Sequence, residues 1–131
     1  MMAAGTAARL GGTVCLFEKN KILGKKLLIT GKGRCNVTNF CDVNNVIENI
    51  TSSNPRFMYG ALNAFGCYDT YAFFEKLGVE LKTERGNRVF PKSDRAADIR
   101  NALEKYIKSA GVTIVNEQVV SVKTDPLCVL T

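Results

Sequence analysis

Three rhythms of apolar and polar residues follow one another along this chain, and each predicts a different element. Met1 to Leu10 is small and apolar, with Arg9 near its end and Gly11-Gly12 behind it, which predicts the C-terminal part of a buried helix closed by glycine. Thr13 to Phe17 is a short unbroken apolar run, suited to a strand buried on both faces as in a parallel sheet. A 3.6-residue rhythm returns after Ser52 to Pro55, where Ser53 or Asn54 is expected to cap a helix carrying Phe57, Met58, Ala61, Leu62 and Phe65 on one face. Asp69 is then expected to cap a second helix with Tyr71, Phe74 and Leu77 inward and Gly78 after it, its aromatics forming core rather than a stacking surface.

Val79 to Glu84 alternates strictly, with Val79, Leu81 and Thr83 on one face, and Arg85-Gly86-Asn87 turns it into Arg88-Val89-Phe90. The pattern predicts a short antiparallel hairpin. Asp94 is expected to cap a long helix over 95 to 110 whose inner face is Ile99, Leu103, Tyr106, Ile107 and Ala110, with Arg100/Glu104 and Glu104/Lys108 spaced to pair outside. Three β-branched runs joined by polar turns close the chain: Val112 to Val115, Val119 to Lys123 and Leu127 to Leu130.

Helix, glycine turn, strand and then an acid, Glu18, is the second half of a dinucleotide-binding βαβ unit, in which the acid accepts hydrogen bonds from ribose hydroxyls. In that unit the glycine fingerprint lies about 20 residues before the acid, which here falls ahead of Met1. The expected fold class is therefore α/β: a partial Rossmann-like FAD-binding domain over residues 1 to 131, lacking its first strand and glycine fingerprint, with small antiparallel β and helical elements. On this reading the chain is a fragment truncated at both ends, with Met1 internal to a longer parent.

Charge sharpens the picture. Residues 1 to 36 hold seven basic side chains and one acid, whereas residues 37 to 131 hold eleven of each, so the whole net charge of +6 lies in the first stretch. Within it, Gly24 to Asn36 (GKKLLITGKGRCN) combines closely spaced glycines with three lysines and an arginine. Glycine-exposed amides beside fixed cations are what a pyrophosphate requires.

Other chemistries are excluded or weak. The chain has no histidine, so a Ser/His/Asp triad cannot form, and its five cysteines contain no CxxC pair for a zinc or thiol-redox centre. No Gly-Lys pair has P-loop spacing. The two tripeptides Asn36-Val37-Thr38 and Asn49-Ile50-Thr51 match the glycosylation pattern and are expected to be chance matches. Reduced thiols, a cytoplasmic setting and no metal are expected. Catalytic residues are not evident, so a cofactor is expected to bring the chemistry.

Phe17-Glu18-Lys19-Asn20, Leu23 to Asn39 with its GKGRCN core, Asn54-Pro55-Arg56-Phe57 and Gly86-Asn87-Arg88-Val89-Phe90-Pro91 together resemble the bacterial NAD(P)/FAD-dependent oxidoreductases of the aminoacetone oxidase and dehydro-bile-acid reductase family. The resemblance implies an FAD-binding Rossmann-like domain interrupted by an inserted substrate domain. It implies that Glu18 holds the adenosine ribose with Lys19 beside it, and that Val119 contacts adenine through its backbone. Lys25, Lys26, Thr30, Gly31, Gly33, Arg34, Cys35 and Asn36 would line the pyrophosphate, ribityl chain and flavin edge, with Arg88 and Phe90 near the flavin side. The implied cofactor is FAD, with NAD(P)H as electron donor, a small-molecule substrate, and no nucleic-acid or membrane partner. The alternative is a basic module that grips nucleic acid or another polyanion without catalysis.

Overall fold

The computed structural model describes residues Met1–Thr131. In chain order the elements are α1 (Met2–Arg9), β1 (Cys15–Phe17), α2 (Lys25–Ile29), a 3₁₀ turn (Thr30–Gly33), β2 (Thr38–Asn39), α3 (Val43–Glu48), a second 3₁₀ turn (Pro55–Met58), α4 (Tyr59–Ala64), α5 (Cys67–Lys76), β3 (Leu81–Glu84), β4 (Arg88–Pro91), α6 (Ala96–Ser109), β5 (Thr113–Val115), β6 (Ser121–Thr124) and β7 (Leu127–Leu130). They divide into two compact units, Met1–Lys26 with Leu103–Thr131, and Leu27–Ala102. No helix is long and apolar enough to cross a membrane.

The first unit is built on a parallel pair, β1 beside β5, in the register Cys15↔Thr113, Leu16↔Ile114 and Phe17↔Val115. That pairing establishes the α/β class. The strand was expected to be buried on both faces, but Cys15 is exposed and Leu16 and Phe17 are half-buried, because a two-stranded sheet has too little around it to enclose either face. α1 ends as its glycines require: Gly11 takes φ +92 and the amides of Leu10 and Gly11 return to Thr6 and Ala8. The helix packs on the end of α6, where buried Gly5 faces the Tyr106 ring and Arg9 stacks over that ring at 4.7 Å. Ile107 is wholly buried beside Leu103 and Val112 in the core of this unit. β6 and β7 form an antiparallel hairpin whose residues are mostly exposed.

The second unit is organised by a three-stranded antiparallel sheet of order β2-β4-β3. Its central strand supplies Val89, Phe90 and Pro91, all buried, and Phe74, Val79, Leu81 and Ile99 join them in the core. The predicted hairpin is therefore present, and Asn87 at φ +57 and Gly86 at φ +76 make its turn.

Several local expectations change. Pro55 opens a 3₁₀ turn rather than an α-helix, with no side-chain cap from Asn54, and Phe57 is 81% exposed. Phe65 is also exposed and Tyr71 is half-buried, so of the expected aromatic core only Phe74 is deeply buried. α5 begins at Cys67, not after Asp69; the Asp69 carboxylate reaches back to accept from the Gly66 amide at 2.8 Å, so the acid serves from the third helical position. Nor does Asp94 cap α6. It has φ +59, and Ser93 takes the terminal role instead, accepting from the Arg95 amide (3.3 Å) and donating to Asp98 (2.6 Å). The inner face of α6 is as expected from Ile99 through Ile107, Ala110 is half-buried, and Lys108 pairs with Glu104 at 2.6 Å.

Asp94 is diverted because it belongs to an ion cluster. Arg34 reaches both Glu84 (3.0 Å) and Asp94 (3.2 Å), and Lys82 reaches Asp94 (2.7 Å) and Glu84 (3.4 Å). The Arg34 guanidinium also lies over the Phe90 ring at 4.0 Å. The Arg34 hydrogen bond holds the Glu84 carboxyl below its ordinary range, and Lys82 does the same for Asp94; their partners are pushed up in return.

Two predictions follow from this packing. A Cβ on Gly5 would run into the Tyr106 ring, whereas one on Gly60 in α4 meets nothing within 4 Å. Gly5→Ala should therefore destabilise the protein by about 1–3 kcal/mol, and Gly60→Ala should stabilise it by about 0.5–1 kcal/mol, as read by urea denaturation. The cluster predicts an acid dependence. Carboxyls lowered by folding contribute stability that is complete above the ordinary carboxylate range and lost as pH falls through their folded values. The wild-type melting temperature should thus fall more steeply below about pH 4 than that of a Glu84→Gln/Asp94→Asn variant; parallel curves would show that the cluster contributes nothing.

Candidate functional site

Parallel strands end on the same side, and in open α/β sheets ligands bind outside those carboxyl ends. Here β1 runs into Glu18 and Lys19, and β5 runs into Asn116, Glu117, Gln118 and Val119. Phe17, Glu18, Lys19, Glu117, Gln118 and Val119 line one open cleft of about 250 Å³. Three residues expected to hold the adenosine end of a dinucleotide, Glu18, Lys19 and Val119, are thereby brought together from positions about a hundred apart in the chain.

Glu18 is held at three points. Its amide donates to the Val115 carbonyl at 3.0 Å, extending the parallel ladder by one bond. Its carbonyl accepts from Asn116 Nδ2 at 2.7 Å. Its Oε1 accepts from both the amide of Asn20 (2.8 Å) and Asn20 Nδ2 (2.6 Å). Those bonds from Asn20, with Lys19 nearby, hold the carboxyl below its ordinary value, so it is ionised at neutral pH. Both Asn20 bonds end on Oε1, and besides them only the Lys19 backbone amide adds a weaker pull on the carboxylate, so Oε2 is the oxygen left to a ligand.

The residues fit an adenosine group. An ionised oxygen is free for a ribose hydroxyl, and the amide and carbonyl of Val119 are engaged by no other group of the chain, leaving both for a base edge. The size fits one half of a dinucleotide: about 250 Å³ is below the range of roughly 300–1,000 Å³ usual for a pocket enclosing a whole drug-sized ligand. Asn20, Asn116, Glu117 and Gln118 were not singled out from the sequence. Asn20 stands two residues after the acid in the Phe17-Glu18-Lys19-Asn20 segment, which was the available signal; Asn116 carried none, since only the strand pairing brings it there.

The remaining expected ligands lie in the Gly24 to Asn36 stretch, which is not the open loop its composition suggests. Lys25 and Lys26 open α2 and are exposed. In the second unit, Thr30 Oγ1 donates to the Leu27 carbonyl at 2.8 Å. The chain then takes left-handed conformations at Gly31 (φ +55), Lys32 (φ +57), Gly33 (φ +83) and Cys35 (φ +61). Gly31 is obligatory twice over, because a Cβ would lie 2.9 Å from the Asn36 amide nitrogen and 3.1 Å from Phe90. The amides of Arg34 and Cys35 turn back onto Gly31 and Thr30. Asn36, with its amide turned to satisfy its neighbours, donates to the carbonyls of Thr38 (2.9 Å) and Val89 (3.2 Å).

Arg34 is neutralised in place by Glu84 and Asp94, and Phe90, expected near a flavin, is buried beneath it. Arg88 donates to the Arg85 carbonyl at 3.0 Å. Cys35 is 2% exposed and burial pushes its thiol up, so it is held as an unreactive thiol. No group of His, Cys, Asp and Glu side chains is arranged to hold a metal.

Residues 1–127 match the HI0933-like protein Rossmann domain. Over 121 residues the chain is 36% identical to the 3-dehydro-bile acid delta(4,6)-reductase of Clostridium scindens, covering 87% of this chain and 27% of that protein. Over 128 residues it is 30% identical to the ribosomal RNA dihydrouridine synthase of Escherichia coli, covering 95% of this chain and 30% of that one. The synthase of the same name from Haemophilus influenzae is 28% identical over 90 residues, with 69% and 22% covered. The chain thus spans less than a third of the length of each of these relatives. A family match across nearly all of the chain, on a parallel strand pair that carries its acid at the expected end, shows that it belongs to the HI0933-like family and its Rossmann domain.

Proposed function

We propose that this chain binds the adenosine end of FAD in the cleft at the ends of β1 and β5, as part of a flavin-dependent oxidoreductase working between NAD(P)H and an organic substrate. Glu18 accepts a ribose hydroxyl through Oε2, Lys19 flanks it, and the Val119 backbone meets the adenine edge. FAD, when bound, supplies the hydride or electron transfer. The residues of the cleft bind and orient it. One observation carries the reading: Glu18, Lys19 and Val119 line the same cleft beyond the carboxyl ends of a parallel pair. The reductase named among the relatives supports the reaction class, and "dihydrouridine" likewise names a product richer in hydrogen.

Titrating the purified chain with FAD and following flavin fluorescence tests this directly. Saturable binding is expected, weakened about tenfold or more by Glu18→Ala, the loss expected for a charge-assisted hydrogen bond. An unchanged affinity in that variant would remove the ribose assignment, and no binding by the wild type would remove the FAD reading for this chain.

A second reading concerns the substrate. Lys19, Lys21, Lys25 and Lys26 are all exposed and none makes an ion pair, and two relatives are named for ribosomal RNA. On that reading an RNA substrate is recruited through these lysines. RNA binding should then weaken steeply with salt, and a Lys25→Ala/Lys26→Ala variant should show a shallower salt slope. Absence of RNA binding at low salt would leave the small-molecule substrate.

A further inference from the structure

We infer that Asn20 and Asn116 are positioning residues that present a single oxygen of Glu18, Oε2, to the ribose of a bound adenine nucleotide. The role rests on the FAD reading above, but the geometry stands independently of it. Asn116 Nδ2 has two hydrogens and uses both: one goes to the Glu18 carbonyl at 2.7 Å and one to the Asn20 carbonyl at 2.6 Å. It follows β5 directly, so its position is set by the same parallel register that places Glu18 after β1. Asn116 therefore fastens the segment 18–20 to the end of the neighbouring strand.

Asn20 completes the device from within that segment. Its amide and side-chain nitrogen both donate to Oε1, which fixes the carboxylate plane and saturates one oxygen. A free glutamate would sample several rotamers and present either oxygen. Held in this way, the side chain keeps one orientation, and binding need not order it again. Neither asparagine lines the cleft, so each acts through Glu18. The other charged groups that line it are Lys19 and Glu117. Lys19 supports the ionised form of Glu18.

The test uses the full chain and ADP as the probe for the adenosine half, with two readouts. The first is the Glu18 carboxyl titration followed by ¹³C NMR, which needs no ligand. In Asn20→Ala, which keeps the backbone donor but removes Nδ2, the midpoint should rise toward the ordinary glutamate value; in Asn116→Ala the Glu18 resonance should broaden or shift as the segment loosens. The second is ADP affinity by calorimetry. Each variant should bind ADP several-fold to about tenfold more weakly, with no further loss when the same change is made in a Glu18→Ala background.

A Glu18 signal and midpoint unchanged in both variants would overturn the inference. So would an ADP loss that persists without Glu18, since that would mean direct contact. If the wild-type chain fails to bind ADP, the FAD reading falls, and the Glu18 titration alone decides whether the clasp exists.

Discussion

The parallel pairing of β1 with β5 is the constraint on which the rest depends. It joins residues 15–17 to 113–115, and parallel strands can be joined only through a crossover. Everything between Glu18 and Val112 is thus, topologically, one long connection, and the second unit lies within it. The return to a parallel neighbour brings two chain segments out at the same edge, so an acid from one and an amide from the other can meet. An antiparallel return would have put residue 116 at the opposite end of β1. Only three residue pairs form the ladder. The extra bonds from the Glu18 amide to Val115 and from Asn116 to two carbonyls therefore extend the pairing at the end where the cleft opens.

Charge is divided between structure and recognition in a way that a tally of side chains conceals. Of the seven basic residues before position 37, Arg34 is taken up by Glu84, Asp94 and the Phe90 face, and Arg9 by the Tyr106 ring and Ser109. The Arg34 contacts hold the end of a turn that is unfavourable in itself: Lys32 and Cys35 occupy left-handed backbone conformations that side-chain-bearing residues rarely adopt. A guanidinium suits this role, since its flat face can lie on the ring while its edge meets two carboxylates. Arg34, one of the cations expected to line the cofactor, is thus employed in shaping the turn, and the unpaired positive charge is left to lysines.

What the sequence revealed follows the range of the interactions involved. The hairpin around Gly86-Asn87, the glycine end of α1 and the inner face of α6 were legible because residues a few positions apart determine them. The place of Glu18, directly after a parallel strand, was legible because a short apolar run that ends in an acid is a local pattern. Asp94 misled because its acid-before-helix pattern is local, while its partners Arg34 and Lys82 lie 60 and 12 residues away. The Ser52 to Gly66 stretch misled differently: helical spacing marks an apolar face but not what covers it, and Phe57 and Phe65 remain exposed. Asn116 could not be found at all without the register, since a lone asparagine after a strand reads as a turn.

The use of neutral donors around Glu18 has a consequence of its own. A lysine or arginine in place of Asn20 would lower the carboxyl pKa further, but it would also cancel the charge and compete for the second oxygen, as Arg34 and Lys82 do with Glu84 and Asp94. Amide donors stabilise the ionised carboxylate while leaving its net charge in place. What remains is an anion with one open acceptor, which a hydroxyl group satisfies and a phosphate oxygen does not. The two carboxylate sites of this chain thus differ in what their partners leave over: the clustered pair is neutralised and closed, whereas Glu18 is oriented, ionised and open.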